Sequence, residues 1–358
     1  MNIRKKFKNN YIPIVFATDD NFVPYLYVSL LSLITNVSND NNYDIVILYS
    51  KINDYNISRL SQLSKENVSI RFFDMSEYMD KYNGLWYTHW NYTDAMYYRF
   101  FISELFTDYA KVLYLDGDVI FNCDVSELYN IELEGNYIAA VQDISQQMNG
   151  YIGEDYRENT LNIKRENYFN TGVLLFNINA LKEINFFDKC IQILDRLKTP
   201  LFPDQDVLNK VCDGHVKYLP YNYNLLWNCI HYYQDAKERM SAEIYNNYIT
   251  CWKAPKIIHY AGAYKPWKQP GLAYSDLFWK YARQTPFYEE IIYKNCRSSI
   301  SRNTIKNVVR QREIYLSYLK CKVMKIFTFG KTREHYIEKK DRLKARVKDY
   351  RKTLSGKL

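Results

Sequence analysis

Short apolar runs alternate with longer amphipathic segments along the chain, up to about residue 267. Short runs rich in β-branched and aromatic residues are typical of buried strands, and apolar residues spaced three or four apart are typical of helices. We therefore predict strands at 12–17, 43–49, 68–73, 112–115, 137–141, 173–176, 216–219 and 256–259. We predict helices at 22–35, 53–65, 92–106 and 181–197.

This alternation predicts an α/β fold with a mostly parallel sheet. Ligands of such sheets bind beyond the carboxyl ends of the strands, which is where the polar Asp19-Asp20-Asn21 follows the first run. No GxGxxG follows that run, and the sequence has no Walker A loop. Both absences argue against a dinucleotide-binding enzyme and against a P-loop kinase. Residues 144–167 are polar and lack periodicity, so we predict a loop that serves as a lid or contacts a ligand.

Charge divides the 358-residue chain into two parts. Residues 296–358 contain 19 Lys and Arg against 5 Asp and Glu, whereas the whole chain has a net charge of only +8. We therefore predict a mildly acidic globular domain at 1–295 and a basic, helical C-terminal extension at 296–358. Apolar positions recur within the extension: Ile305, Val308, Val309, Tyr315, Leu316, Leu319, Val323, Met324, Ile326 and Phe327.

That pattern in the extension fits three interpretations: a solvated basic helix, a helix packed on the globular domain, or peripheral attachment to an anionic membrane. The seven Cys residues have no metal-ligand spacing, which suits a reducing cytosol. The apolar run after the basic start is interrupted by Pro13 and is too short for a signal peptide. We therefore expect a cytoplasmic protein, with a peripheral position on the inner face of the membrane as the third interpretation requires.

Asp116-Gly117-Asp118 separates the apolar run 112–115 from a second run, 119–121. Two carboxylates one residue apart at a strand end can turn toward one hard cation, and Mg²⁺ and Mn²⁺ prefer such oxygen ligands. An ordinary Asp-Gly turn between two strands is the alternative. His259 closes another strand, and Lys265 follows it with a point charge suited to phosphate. Together these residues suggest a cation and a diphosphate bound side by side.

Two further candidates have simple structural explanations when each is taken alone. Arg99 lies in an aromatic and apolar run, where a paired structural role is the alternative to catalysis. Asp204 precedes a helical pattern and would serve as its N-cap.

Six segments, in this order, resemble glycosyltransferase family 8, the retaining enzymes that include lipopolysaccharide galactosyl- and glucosyltransferases and glycogenin. They cover the chain from about Ile12 to Trp267. The segments are Val15-Phe16-Ala17-Thr18-Asp19-Asp20-Asn21, Tyr98-Arg99-Phe100, Leu113-Tyr114-Leu115-Asp116-Gly117-Asp118, Phe169-Asn170-Thr171-Gly172-Val173, Asp204-Gln205-Asp206, and Ile258-His259-Tyr260-Ala261-Gly262 with Lys265-Pro266-Trp267.

The resemblance implies a GT-A fold, a UDP-sugar donor that is usually UDP-galactose or UDP-glucose, and Mn²⁺ or Mg²⁺ as cofactor. Asp116, Asp118 and His259 match the family's metal ligands. Residues that match its other site positions are Ala17, Asp19, Asn21 and Phe22 for the uridine, Gly262 and Lys265 for the diphosphate, and Arg99, Asn170, Asp204 and Gln205 around the sugar. Asp143 matches a further active-site position.

Three functions compete at this stage. The first is hexose transfer to a glycan or glycolipid acceptor of the cell surface, and the second is a glycogenin-like primer that glucosylates itself. The third is a nucleic-acid-binding protein that uses the basic tail. Asp116, Asp118 and His259 argue against a protein without chemistry, so we expect no nucleic-acid partner. Gln205 is a poor nucleophile, which favours front-face attack over a covalent intermediate.

Overall fold

Two β-sheets organise the chain in a computed structural model that describes residues 2–89, 93–226, 235–269, 271–295, 316–324 and 326–354. The larger and smaller sheets have the orders β3-β2-β1-β4-β7-β6-β8 and β5-β10-β9, with strands defined as follows. The strands are β1 (Tyr11–Ala17), β2 (Asn42–Tyr49), β3 (Val68–Asp74), β4 (Lys111–Leu115), β5 (Val119–Phe121), β6 (Ile138–Gln142), β7 (Phe169–Asn177), β8 (Val216–Leu219), β9 (Leu225–Leu226) and β10 (Ile257–His259).

Neighbouring strands of the larger sheet run parallel, except that β7 is antiparallel to both β4 and β6. This confirms the prediction of an α/β fold with a mostly parallel sheet. Because β1 and β4 are parallel neighbours, with Phe16 opposite Leu115, their carboxyl ends meet at one edge. The amino end of the reversed strand β7 reaches the same edge, since Val173 pairs with Leu115.

Both faces of the larger sheet are covered, which explains why its strands are nearly continuous apolar runs. Successive side chains of a strand point to opposite faces. Ile14 and Phe16 accordingly join a core with Leu26 of the first helix. Val15, between them, belongs to a second core on the other face, together with Tyr114.

α-Helices of the part of the chain before residue 292 lie between these strands and after β10. They include Val23–Thr35, Asp54–Ser61, Ser76–Lys81, Ile102–Leu105, Ser126–Tyr129, Glu154–Tyr156, Ile178–Glu183, Phe186–Leu197, Pro203–Cys212, Ala236–Arg239, Ala242–Lys253 and Ser275–Ala282. Short 3₁₀ segments occur at Asp94–Phe101, Ile144–Gln147, Arg165–Asn167 and Tyr221–Tyr223, and a π-helical turn occurs at Arg157–Leu161.

Two predicted helices differ from the structure. The segment predicted as one helix at 92–106 is mostly a 3₁₀ helix, with only Ile102–Leu105 in α-helical form, and residue 92 lies outside the described residues. The segment 181–197 is interrupted because Asn185 adopts a left-handed conformation with φ of 51°. Asn tolerates that conformation better than most residues, so the break has a local cause.

Two other predictions are wrong in detail. Residues 144–167 contain several helical turns, among them Ile144–Gln147 and Arg157–Leu161, rather than an irregular loop. Asp204 is not the N-cap of its helix, because that position belongs to Phe202. The side chain that caps the start of the helix is that of Asp206, whose carboxylate accepts a hydrogen bond of 2.8 Å from the Phe202 backbone N–H.

The chain divides into two compact units, Met1–Ile291 and Ile292–Leu358. In the second unit, residues 316–324 and Gly330–Leu354 are helical, which confirms a helical C-terminal region. Its apolar positions Ile305, Val308, Val309 and Tyr315 lie outside the described residues. Among the described residues, no helix has the length and apolar character needed to cross a membrane.

Candidate active site

Asp116, Asp118 and His259 lie together at the edge where the two sheets meet. The antiparallel pairing of β5 with β10 places Val119 opposite His259, so the Asp-Gly-Asp turn before β5 faces the end of β10. One ligand atom from each of the three side chains lies within 4.8 Å of the others. His259 Nε2 is 3.3 Å from Asp118 Oδ1 and 3.7 Å from Asp116 Oδ2. The turn between two strands is therefore also a candidate metal centre.

The donor set suits a hard divalent cation. Two carboxylates and one imidazole supply mainly oxygen ligands, which Mn²⁺ and Mg²⁺ accept. The other ring nitrogen of His259, Nδ1, lies 2.9 Å from Asn224 Oδ1, which leaves Nε2 directed at the carboxylates. Metal-bound imidazoles generally make such a second contact. The residues present thus fit the cation that the family resemblance implies.

Gly172 allows strand β7 to approach this cluster closely. The backbone N–H of Asp116 donates a hydrogen bond of 2.8 Å to the carbonyl of Gly172. A Cβ atom at position 172 would lie 2.2 Å from Cε1 of His259 and 2.9 Å from Oδ2 of Asp116. Only glycine fits this space without displacement of the candidate metal ligands.

Lys265 brings a positive charge to the same cluster. Its ammonium contacts Asp118 Oδ2 and donates a hydrogen bond of 2.6 Å to the carbonyl of Tyr260. Burial raises the pKa of the Asp118 carboxyl, but Lys265 and His259 outweigh that effect and hold the pKa below its usual range. Gly262, with φ of 80°, forms the turn between the β10 strand and Lys265. Asp118 is therefore held as a carboxylate.

The buried Arg99 contacts both Asp116 of the candidate metal centre and Asp204, a carboxylate outside it. Its guanidinium donates to Asp116 Oδ1 at 2.8 Å and to the Tyr114 hydroxyl at 2.9 Å. It also lies 3.0 Å from Asp204 Oδ2 and donates to the carbonyl of Thr171 at 2.6 Å. Burial raises the pKa of Asp204, and Arg99 opposes that rise. Arg99 thus orients Asp116, a candidate metal ligand, and holds the Asp204 carboxylate close to it.

Asp143, Asn170 and Gln205 form a polar wall beside Asp204. The Gln205 amide donates to Asp143 Oδ2 at 3.0 Å, and the Asn170 amide donates to Gln205 Oε1 at 3.1 Å. The Thr171 hydroxyl donates to Asp204 Oδ2 at 2.9 Å. These hydrogen bonds fix the side chains on the reversed strand β7 and on the helix Pro203–Cys212. The structure therefore brings Asp143, the further active-site position, together with Asn170, Asp204 and Gln205, which the resemblance assigns to the sugar.

The end of β1 supplies the remaining candidates. Ala17 closes the strand, and the Asp19 carboxylate accepts hydrogen bonds from the backbone N–H groups of Asn21 at 2.9 Å and Phe22 at 3.1 Å. The Phe22 ring reaches the Asp-Gly-Asp turn, since a Cβ atom at Gly117 would lie 3.2 Å from it. This contact joins the candidate uridine site to the candidate metal centre.

Two site residues, Tyr25 and Asn224, escaped the sequence analysis, and two others, Trp267 and Gly172, were included in matching segments without a role. Tyr25 and Trp267 stack with ring centroids 4.1 Å apart, and the Trp267 ring centroid lies 6.1 Å from that of Phe22, so an aromatic group borders the loop after β1. The ring of Tyr25 follows Phe22 by three positions, a spacing that could have signalled it. Asn224 and Gly172 lie next to His259 only through tertiary contacts, so the sequence does not show that they act on this side chain.

Comparison with known proteins identifies one family over the part of the chain that contains these site residues. The sequence model of glycosyl transferase family 8 matches residues 13–271. A putative glycosyltransferase of Haemophilus influenzae is 30% identical over 71% of this chain and 72% of its own length. A lipopolysaccharide 1,2-glucosyltransferase of Escherichia coli K12 is 26% identical over 80% of this chain and 82% of its own length.

Solved structures share the fold. The bifunctional glycosyltransferase WbbM superposes with a TM-score of 0.72 and 30% identity; the match covers 82% of this chain and 53% of WbbM. Galactosyltransferase LgtC, solved with donor and acceptor sugar analogues, gives a TM-score of 0.63 at 22% identity and covers 77% of this chain and 96% of LgtC. The architecture described above is therefore the GT-A fold.

Proposed function

Since the chain belongs to glycosyl transferase family 8, we propose that it transfers a hexose, galactose or glucose, from a UDP-sugar to a glycan or glycolipid acceptor of the cell surface. The observation that carries this proposal is the cluster of Asp116, Asp118 and His259 beside Lys265. The names of the lipopolysaccharide glucosyltransferases among its relatives support an acceptor of this class.

In this proposal Asp116, Asp118 and His259 hold Mn²⁺ or Mg²⁺. Such a cation, when bound, stabilises the negative charge that develops on the leaving diphosphate. Lys265 would serve the same diphosphate with its positive charge, and the turn at Gly262 would let the backbone approach the phosphate oxygens. Both positive groups act where charge develops during cleavage of the sugar–phosphate bond.

The polar wall defined above positions the hexose. Asp143, Asn170 and Gln205 offer hydrogen-bonding groups at known orientations, and Asp204 adds a carboxylate that can stabilise an oxocarbenium-like sugar. The Gln205 amide is a weak nucleophile and is held at both of its atoms, so we favour front-face attack by the acceptor. Ala17, Asp19, Asn21 and Phe22 would hold the uridine at the end of β1.

A screen of UDP release tests the proposed function. The full chain is incubated with UDP-glucose, UDP-galactose and other UDP-sugars, each with and without Mn²⁺, because many such enzymes slowly hydrolyse their donor. We expect release from one hexose donor to depend on the cation. Equal release with and without the metal, or release from none of the donors, would contradict the proposal. An intact-mass gain of hexose units on the protein itself would indicate self-glucosylation instead.

Stereochemistry provides a second prediction. Donors of this class are α-linked to UDP, and retention makes the product linkage α. The anomeric proton of an early product, observed by NMR, should therefore show an α linkage. A β product from an α donor would reject the retaining mechanism.

We further propose that residues 1–295 perform catalysis and that the basic extension 296–358 attaches the protein to the inner face of the cytoplasmic membrane. Ile326, Phe327 and Phe329 are exposed by 66%, 73% and 82%, beside several Lys and Arg residues. Apolar side chains and basic residues together favour an anionic lipid surface, with about 1 kcal/mol from each basic residue near it. This position would keep the active site near a lipid-linked acceptor.

The membrane prediction is tested on the full chain. Binding to vesicles that contain anionic lipid should be salt-sensitive, because surface charge is screened by salt. The combined substitutions Ile326→Ser, Phe327→Ser and Phe329→Ser should weaken vesicle binding at least about tenfold, since they remove buried apolar surface, while UDP release is unchanged. Zwitterionic vesicles serve as the lipid control. No binding of the unaltered protein to anionic vesicles at low salt would refute attachment.

A further inference from the structure

Three buried side-chain amides connect Asp143 to His259 in one chain of hydrogen bonds. Gln205 donates to Asp143 at 3.0 Å, and Asn170 donates to Gln205 at 3.1 Å. Asn224, which is 1% exposed, donates to Asn170 Oδ1 at 2.8 Å and faces His259 Nδ1 with its own oxygen at 2.9 Å. We call these amides, Gln205, Asn170 and Asn224, the amide relay.

Backbone donors fix the direction of the relay. The N–H of Gly172 donates to Asn170 Oδ1 at 3.0 Å, and the N–H of Thr171 donates to Gln205 Oε1 at 3.3 Å. A backbone N–H can only donate, so the amide oxygens of both residues must face the backbone of β7. The Asn224 group that faces Asn170 Oδ1 must then be its NH₂, which leaves the Asn224 oxygen toward His259.

We propose that Asn224 is a positioning residue that holds His259 in the tautomer with a proton on Nδ1 and an open lone pair on Nε2. An oxygen at 2.9 Å from Nδ1 accepts that proton's hydrogen bond. The competing tautomer would place a proton on Nε2, where Asp118 Oδ1 at 3.3 Å would accept it and the lone pair for a cation would be lost. The proposal rests on the metal site of the proposed function.

The relay explains why the sequence uses an amide at position 224. A carboxylate could accept from Nδ1 but could not donate to Asn170 Oδ1, which already receives the Gly172 N–H. An aliphatic residue could do neither. The Asn224 amide satisfies both neighbours, and it does so in a buried position where an unpaired polar group is costly.

Ring nitrogen NMR tests the tautomer in the metal-free protein. The chain has only five His residues, and comparison with His259→Gln assigns the His259 signals. In the unaltered chain we expect Nδ1 of His259 to be protonated and Nε2 unprotonated at neutral to alkaline pH. Asn224→Leu should shift His259 toward the Nε2-protonated tautomer. A protonated Nε2 in the unaltered, neutral ring would overturn the proposal.

The second measurement is the binding of Mn²⁺ in the absence of other ligands. Binding is monitored by electron paramagnetic resonance, as the decrease of the signal of free Mn²⁺. Asn224→Leu should weaken the Mn²⁺ affinity by about 10- to 100-fold, the usual effect of the residue behind a metal ligand. Asn224→Asp keeps an acceptor for Nδ1, so its affinity should lie between those of the Leu variant and the unaltered chain. Unchanged affinity and an unchanged tautomer in Asn224→Leu would refute the positioning role.

Asn209→Leu is the matched control. Asn209 is also 1% exposed; it makes two hydrogen bonds of 2.8 Å with the backbone of Phe169 and one of 2.9 Å with the backbone carbonyl of Gln205, but it bonds to no side chain of the amide relay. Its loss should lower thermal stability without a change in the His259 tautomer, which separates positioning from general destabilisation. If Asn224→Leu does not fold, the proposal is still tested by the His259 tautomer of the unaltered chain and by the Mn²⁺ affinity of Asn224→Asp. If Asp118→Asn bound Mn²⁺ normally, the proposed metal site would fail, whereas the tautomer would still report on the relay.

Discussion

Replacement of Asp118 by Asn is expected to lower metal-dependent turnover of the UDP-sugar at least about a thousandfold, a loss of ~4 kcal/mol in transition-state stabilisation. The side chain keeps its size, and its amide oxygen can still accept a hydrogen bond. The charge is lost, however, and with it the attraction for a divalent cation. Lys265 also loses the carboxylate that it contacts, so both positive groups of the site are affected.

The Asp118→Asn experiment combines turnover, Mn²⁺ binding and thermal unfolding. Asp74→Asn is a suitable control, because it makes the same change at the end of β3 in the larger sheet. The Asp74 carboxylate accepts a hydrogen bond from the Ser76 N–H, which an amide oxygen can also accept. We expect that control to keep its turnover. Normal turnover by a folded Asp118→Asn variant would remove Asp118 from the metal site, and with it the main support for the proposed mechanism.

The strands were the most predictable part of the fold. A strand buried on both faces needs apolar residues at nearly every position, as in Ile12 to Phe16, so its sequence is distinctive. The helix breaks were less predictable, because the left-handed residue Asn185 looks like an ordinary polar position within an amphipathic pattern. The 3₁₀ form of Asp94–Phe101 was not predicted either; its side chains from Ala95 to Phe101 are buried, and Arg99 bonds to Tyr114 and Asp116, contacts that no local pattern shows.

The site was predictable where local chemistry is unusual. Two carboxylates at a strand end, or a Lys shortly after a Gly-containing turn, stand out in a sequence. The residues that orient them do not stand out, because their partners are distant in the chain. Asn224 contacts His259 only through the pairing of β9 with β10, and the role of Asp204 opposite Arg99 depends on the packing of a helix against β7.

Gly172→Ala is expected to abolish cation binding although it adds a single methyl group. The new Cβ would lie 2.2 Å from Cε1 and 2.6 Å from Nδ1 of His259, distances that non-bonded atoms do not tolerate. Neither neighbour can move away easily. His259 is 3% exposed and is hydrogen-bonded to Asn224, and Asp116 is hydrogen-bonded to Arg99. The displaced imidazole would lose its aim at the carboxylates, and metal-dependent UDP release should fall at least about a hundredfold.

Gly271→Ala is the control, because a Cβ atom at Gly271 would meet nothing within 4 Å. That variant should bind Mn²⁺ and release UDP like the unaltered chain. Thermal unfolding of both variants shows whether Gly172→Ala is folded at the assay temperature. A folded Gly172→Ala protein with unaltered Mn²⁺ affinity would mean that His259 has room to move, and hence that the close approach of β7 does not set the geometry of the metal centre.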